Sequence, residues 1–354
     1  MVLRKMVPVS MVALSLGAAL VAGTTTLAAQ TLTFTPVGSI SGPIDLVRAE
    51  GNFAYLTVGD TLTVFDLSNP AAPERRGSFS FPEKVWGFNV IGSLAFVAAG
   101  HSGLWIVDFS NAEMPVLRGS VKTPGQAKNV AVSGTRAVVA DHMAGVDVID
   151  VSDLNAPLSI GSVYTDGYAR DVAMVGSQAY AVDHPAGFYI LDMTAADPLE
   201  PVGSLQSASA PRFVEILEST PPVAVLVGGI PYDPLRVLRQ GAAPDDPSGT
   251  LQLYDISDPA APVAIATFST PGDAQRAELK GSLAYVADGP TGLTVVDLST
   301  PSQPAIVGTY QTRNSARDVA VANTAVLILD GTIRRGSHSQ DDGDVIILRQ
   351  TEHQ

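Results

Sequence analysis

A short motif ending in aspartate recurs along this chain at an almost constant step, and that step constrains the fold more than any other feature. The copies are Leu62-Thr-Val-Phe-Asp66, Leu104-Trp-Ile-Val-Asp108, Val146-Asp-Val-Ile-Asp150, Phe188-Tyr-Ile-Leu-Asp192, Leu251-Gln-Leu-Tyr-Asp255 and Leu293-Thr-Val-Val-Asp297. Their aspartates lie 42, 42, 42, 63 and 42 residues apart, and a seventh copy, Asp344-Val-Ile-Ile-Leu348, ends in leucine instead. Each unit holds four short runs rich in Val, Ile and Tyr, punctuated by Gly, Pro, Asn and Asp; in the third unit they cover 128–133, 136–141, 145–151 and 158–164. Runs of this kind are strands and turns, and four strands every 42 residues is the period of a β-propeller blade.

Inner-strand copies begin near Asp45, Trp86, Lys128, Arg170, Arg212, Gln275 and Arg317, and outer-strand copies such as Arg76-Gly-Ser, Arg118-Gly-Ser and Val307-Gly-Thr also number seven. The first outer strand, around Val37-Gly-Ser, precedes the first inner strand, while the last three strands near 317–349 lack an outer partner. The expectation is an all-β, seven-bladed propeller of four-stranded blades, with an N-terminal outer strand completing the C-terminal blade and hiding the sheet edges. One domain, residues 30–354, follows a removable leader, residues 1–29. That leader carries Arg4 and Lys5, an apolar stretch from Met6 to about Ala22, and small residues suited to cleavage after Ala28 or Ala29, the layout of a secretory signal peptide.

Composition narrows the function by exclusion. The 354 residues contain no cysteine, which removes disulfides, thiolate nucleophiles and cysteine-ligated metals. The formal charge is −14; loss of Arg4 and Lys5 with the leader leaves 19 basic against 35 acidic residues, or −16. That balance argues against a nucleic-acid partner, because such binding is driven by Lys and Arg neutralising phosphates. No second apolar span follows the leader, so the exported chain is expected to have no integral membrane segment and to be a monomer in the periplasm, at the cell surface or in the medium.

The segments Gly103-Leu-Trp-Ile-Val-Asp108, Gly145-Val-Asp-Val-Ile-Asp150 and Gly292-Leu-Thr-Val-Val-Asp297, with second strands in the style of Ala284-Tyr-Val-Ala-Asp288, resemble LVIVD repeats over essentially the whole mature chain. The resemblance implies a propeller in exported or surface proteins of bacteria and archaea, without one general activity, and it supplies no catalytic residues.

Antiparallel order assigns loops to faces. With strands A to D running from inside to outside, B–C turns and D–A connections share one face. Both departures from the period, about 229–249 and 331–343, fall in B–C turns, as do His101, His142, His184 and His338. On that face Lys128, Arg170, Arg212 and Arg317 start strand A, Asp171 and Asp318 follow two of them, and Asp141, Asp183, Asp288 and Asp330 end strand B. Together with His142 and His184 these are the candidate ligand-binding residues, a polar funnel suited to a small polar or anionic ligand or to a protein partner. The competing expectation for the aspartates is turn capping. A propeller hydrolase or lyase using His142, His184, Asp183 and Arg170 is the alternative function. A divalent metal on His101, His142 and His184, or calcium at Gln340-Asp-Asp-Gly-Asp344, is a weaker expectation, and no cofactor is otherwise expected. No nucleophile-elbow, zinc-protease or phosphate-loop motif occurs.

Overall fold

The computed structural model describes residues 31–184, 187–194, 200–206, 210–229, 249–331 and 343–353. The proposed leader, His338, the calcium-like run up to Asp342 and the interiors of both long insertions lie outside them. Strand β1 (Thr31–Ile40) comes first in the chain but pairs last. The next four strands, β2 (Leu46–Glu50), β3 (Phe53–Val58), β4 (Thr61–Asp66) and β5 (Glu74–Ser80), form one antiparallel meander. The same order recurs in β6 (Gly87–Ile91), β7 (Leu94–Ala98), β8 (Leu104–Asp108) and β9 (Val116–Val121), then in β10 (Asn129–Ser133), β11 (Arg136–Ala140), β12 (Val146–Asp150) and β13 (Leu158–Val163). Two further meanders are β14 (Tyr168–Val175), β15 (Gln178–His184), β16 (Gly187–Asp192), β17 (Pro201–Leu205) and β18 (Ala210–Leu217), β19 (Val223–Gly229), β20 (Thr250–Asp255), β21 (Val263–Ser269).

The remaining strands are β22 (Arg276–Lys280), β23 (Leu283–Ala287), β24 (Leu293–Asp297), β25 (Ala305–Tyr310), β26 (Ser315–Val321), β27 (Val326–Gly331) and β28 (Gly343–His353). They join β1 in one eight-stranded sheet of order β22-β23-β24-β25-β1-β28-β27-β26. Within it, β1 is antiparallel to β28 from Thr31↔His353 to Ile40↔Val345, and meets β25 through the single parallel bridge Leu32↔Gly308. The N-terminal strand therefore covers the open edge of the C-terminal meander, which would otherwise present unpaired backbone groups. No helix occurs among the described residues.

The innermost strands touch in a closed cycle, β2, β6, β10, β14, β18, β22, β26 and back to β2. Middle strands such as Leu94-Ala-Phe-Val-Ala98 are buried almost throughout, because both faces of each meander are covered by its neighbours. Outer strands such as Val116-Leu-Arg-Gly-Ser-Val121 are largely solvated. Each core cluster spans two consecutive meanders; Phe96, Ala98, Leu104 and Ile106 pack on Ala127, Val130, Val139 and Ile149. Burial of such side chains contributes about 1.5–3 kcal/mol each.

Two repeated residues set the spacing. Outer-strand glycines seat one meander on the next: a Cβ on Gly77 would stand 2.0 Å from the Ala112 carbonyl oxygen, and one on Gly38 2.1 Å from that of Pro70; the fifth meander has Ala266 at the corresponding register. The motif aspartate closes the C–D turn, accepting a backbone N–H two residues on, as in Asp66 with Ser68, Asp108 with Ser110 and Asp297 with Ser299, each at 2.8 Å. These are Asx-turns, which explains why the motif ends in Asp wherever a Ser or Thr follows two positions later.

Candidate functional site

The face shared by B–C turns and D–A connections is stitched between meanders. Ala127 donates to the Gly100 carbonyl at 3.0 Å, Ala169 to that of His142 at 3.0 Å, and Ala316 to that of Gly289 at 2.8 Å. Gly100 and Gly289 adopt φ of +56° and +58°, and His142 holds φ +55° at the corresponding place. A side chain in that left-handed region is strained where glycine is not.

Four predicted site residues are drawn away from the mouth. Asp141 accepts Thr123 Oγ1 at 2.7 Å and the Gly125 N–H; Asp288 accepts Thr270 Oγ1 at 2.6 Å, Gly272 N–H at 2.9 Å and Thr294 Oγ1 at 2.9 Å. Asp183 accepts Gly167 N–H at 2.9 Å, and Asp330 accepts Arg313 N–H at 3.2 Å and Asn314 N–H at 2.9 Å. All four are buried. They cap the D–A connection from beneath, where the sequence suggested capping of their own turn; Asp288 also accepts Thr291 Oγ1 of its own turn at 3.0 Å. A threonine 18 residues earlier accompanies each of them (Thr123, Thr165, Thr270, Thr312), a signal present in the sequence but not used.

Asp171 and Asp318 are also buried and structural. Asp171 accepts the Asn129 side-chain amide and the Val214 N–H at 2.8 Å. Asp318 accepts Val47 N–H at 3.0 Å and pairs with Arg48 at 2.9 Å and Arg276 at 3.4 Å. Glu278 accepts Val321 N–H at 3.0 Å. The inner strands are edge strands facing a channel, and a carboxylate from the neighbouring meander satisfies an amide that would otherwise be orphaned. Beneath the mouth this layer opens on a cavity of 240 Å³ lined by Asp171, Glu215, Glu218, Arg48 and Arg276. Burial pushes Glu215 up to about 8 and Glu278 to about 7, and raises Asp171. Burial works against the Arg276 charge, yet Asp318, Asp171 and Glu215 hold its pKa above the usual value.

The residues that converge at the mouth form a second cavity of 420 Å³, lined by Arg48, Trp86, Lys128, Asn129, His142, Arg170, Arg212, Phe213, Gln275 and Arg276, with Leu46 and Gly87. Among the described residues its lining contains no carboxylate. Arg48 and Arg276 are committed to Asp318, and Arg212 pairs with Asp273 at 3.3 Å. Lys128 and Arg170 have no carboxylate within ion-pair distance among the described residues. Lys128 instead sets its ammonium 3.4 Å from the centre of the Trp86 ring, a cation–π contact. Arg170 and Arg212 each occupy a register shift in the inner strand, between Ala169 and Asp171 and between Pro211 and Phe213. A bulge of this kind re-aims its extra side chain.

The electrostatics follow from this crowding. Burial, then Arg170, lowers Lys128; burial, then Arg212, lowers Arg170. His142 is lowered by burial, Lys128 and Arg170, and His184 by burial, Arg170 and Arg212. His142 stacks on Tyr168 at 4.9 Å, while His184 ends strand β15 opposite Tyr168 in the ladder rather than lying in the turn expected for it. His101 faces Glu83 at 3.5 Å. Neither His184, Asp183 nor Arg317 lines the mouth cavity, although Arg317 occupies the same kind of register shift, between Ala316 and Asp318. Among the described residues no group of three His, Asp or Glu side chains is arranged to hold a metal. Arg48, Arg276, Trp86 and Phe213 were missed from the sequence. The available signal was a charge inside an otherwise apolar inner strand, as in Leu46-Val-Arg48-Ala.

Meanders packed in a ring around a polar channel define a β-propeller, and solved structures agree. The β-propeller domain of Cps50 (Swd1) from Myceliophteria thermophila is 11% identical, with 89% of this chain and 99% of that one covered at a TM-score of 0.64. A chain of the mitotic checkpoint complex is 11% identical over 97% and 99% at 0.64, and the computationally designed Ika8 protein 8% identical over 88% and 98% at 0.60. These likenesses concern the fold alone. The LVIVD repeat matches residues 42–80, 83–123, 124–165, 166–202 and 271–312, more than half of the chain, so the protein belongs to the LVIVD-repeat family. Both long insertions lie in unmatched segments, 203–270 and 313–354; residues 1–41 are also unmatched. No curated protein matches the chain.

Proposed function

We propose that this protein is an exported, non-catalytic binding propeller of seven blades, whose B–C face takes an anionic ligand, free or displayed on a protein partner. The blade count takes the eight-stranded sheet as two blades joined by the Leu32↔Gly308 bridge. The observation that carries the ligand reading is the 420 Å³ mouth cavity with five cationic side chains and, among the described residues, no carboxylate in its lining, in a chain of net charge −14. Cations so gathered in a low-dielectric funnel attract an anion more strongly than the same cations on open surface. The hydrolase or lyase alternative needs His142, His184, Asp183 and Arg170 to act on one substrate, and neither His184 nor the buried Asp183, which accepts the Gly167 N–H, lines the mouth cavity.

Thermal unfolding of the purified protein with millimolar sulfate, phosphate or citrate tests the reading. At least one anion should raise the melting temperature by several degrees, and Arg170→Ala should abolish the rise while leaving the ligand-free melting temperature nearly unchanged. An equal rise in both proteins overturns the funnel as the site. Export is tested separately by N-terminal sequencing of the secreted product, which should begin at Ala29 or Gln30.

A further inference from the structure

The funnel does not end at its cations. On the same face, Met143 is 67% exposed, Tyr164 75%, Tyr168 43% and Trp86 42%. These are the large exposed apolar side chains of that face among the described residues, and all sit on the second to fourth meanders. They are continuous with the funnel. Tyr168 stacks on His142 and Trp86 lies against Lys128, both cavity residues. The turn carrying Met143 packs on the chain at Tyr164, since a Cβ on Gly145 would stand 3.0 Å from the Tyr164 Cα. Further round the ring, on the fifth meander, Arg212 is paired with Asp273 at 3.3 Å, while Asp45 and Lys84, paired at 2.8 Å, lie beside Trp86. The unbalanced cations and the apolar surface therefore share one side of the mouth.

Size and composition select the occupant. A cavity of 420 Å³ falls in the range of pockets that hold drug-sized ligands, so a lone carboxylate or sulfate would leave most of it to water at roughly 30 Å³ each. Trp, Tyr, Met and Arg are the side chains enriched at protein interfaces, and methionine adapts its shape to an apolar partner. A long polyanion such as nucleic acid is opposed by the overall negative charge.

Building on the anionic-ligand reading, we infer that the funnel and the adjoining Met143, Tyr164 and Tyr168 surface form one docking site for an acidic peptide segment. An Asp or Glu side chain enters beside Lys128 and Arg170, and an apolar residue further along the segment lies on Met143 and Tyr164. Met143 directly follows His142 in the chain, so the separation is two or three residues of extended peptide at about 3.3 Å each.

The test is selection by the purified protein from a positional-scanning library of N-acetylated, C-amidated octapeptides, with oligogalacturonate as a competing acidic sugar. The expected result is enrichment of Asp or Glu at one position and of Leu, Ile, Phe or Met two or three positions away. Lys128→Gln with Arg170→Gln should remove the acidic preference and weaken the best peptide at least tenfold. Met143→Ser with Tyr164→Ser should remove the apolar preference and keep the acidic one; circular dichroism checks that both variants fold. Acid enrichment without an apolar position overturns the docking site and leaves the simpler anion site standing. Oligogalacturonate binding more than tenfold tighter than the best peptide also overturns it, in favour of an acidic glycan. Absence of any acid enrichment, with no melting shift in sulfate, phosphate or citrate, overturns both readings.

Discussion

Glu215→Gln isolates one consequence of building a channel from buried carboxylates. Glu215 faces the 240 Å³ inner cavity with Asp171 beside it, and Arg276 approaches to 4.0 Å. Burial raises its pKa from 4.5 to about 8 against the pull of Arg276, with Asp171 and Glu278 adding to the rise. Below about pH 4.5 the folded and unfolded chains both hold the proton. Between pH 4.5 and 8 the unfolded chain releases it while the folded chain keeps it, so folding stability falls as pH rises through this window. The full shift would correspond to at most about 5 kcal/mol. Glu215 keeps 29% of its side chain accessible, to the cavity, and water there screens the charge, which reduces the expected effect to about 2–3 kcal/mol. Glutamine has the same shape, hydrogen-bonds as the protonated acid does, and cannot ionise.

Urea unfolding at pH 5, 6, 7, 8 and 9 measures the difference directly. Wild type and variant should agree near pH 5 and diverge steadily, with the variant about 2–3 kcal/mol more stable at pH 9. Titration of His142 and His184 is common to both proteins and cancels in the difference, whereas Glu278, coupled to Glu215, also ionises more readily in the variant and adds to the divergence. Parallel curves would refute the reasoning, and a variant that loses stability as pH rises would invert its sign.

Three further outcomes are expected. Gly77→Ala forces the Ala112 carbonyl to retreat by more than 1 Å from a contact that starts at 2.0 Å; it should cost about 1–3 kcal/mol and lower the melting temperature by a few degrees, and an unchanged melting curve would show that the outer glycine does not set blade spacing. Asp288→Ala strands the Thr270 and Thr294 hydroxyls and the Gly272 N–H in a buried turn, which should cost about 2–4 kcal/mol, whereas Asp297→Ala at the exposed C–D turn should cost under about 1 kcal/mol. Anion affinity at the mouth should rise as pH falls, because a bound anion raises the pKa of His142 that burial, Lys128 and Arg170 now hold down; titration calorimetry should record proton uptake on binding, and His142→Asn should remove it.

The ring was legible because each blade repeats its own rules. The outer glycine, the motif aspartate and the early outer strand are all visible as columns, and each has one local cause: a close approach, an Asx-turn, an uncovered edge. The site was half legible. Lys128, Arg170 and Arg212 share a column at the start of strand A and do meet, whereas the aspartate column ending strand B looks equally suited to a funnel and is turned under it. What separates the two is the direction of a side chain at a turn, set by backbone amides of the D–A connection, joined by a threonine hydroxyl at Asp141 and Asp288, which a motif search does not weigh. Arg48 and Arg276 were missed because their partner Asp318 lies on other strands, 270 residues from Arg48 in the chain.

A repeat protein supplies its own control, since sister blades face the same backbone problem. At the turn where Gly100 and Gly289 take a left-handed conformation at little cost, the third meander keeps His142 at φ +55°, a choice that costs about 1 kcal/mol or more. Stacking on Tyr168 returns a similar amount, so the pair gains little stability over the glycine its sisters use. The same mouth gathers Lys128 and Arg170 without carboxylates, in a chain that elsewhere has acid in excess. Burial, and after it repulsion by Arg170 on Lys128 and by Arg212 on Arg170, lowers both groups and costs stability again. Strain and like charge coincide where a ligand would relieve the charge, and they coincide on the side of the mouth that carries the exposed Met143 and Tyr164. The left-handed His142 and the exposed Met143 and Tyr164 depart from the repeat, while Lys128 and Arg170 keep a column shared with Arg212 and Arg317; the proposed site for an acidic partner would account for all of them together.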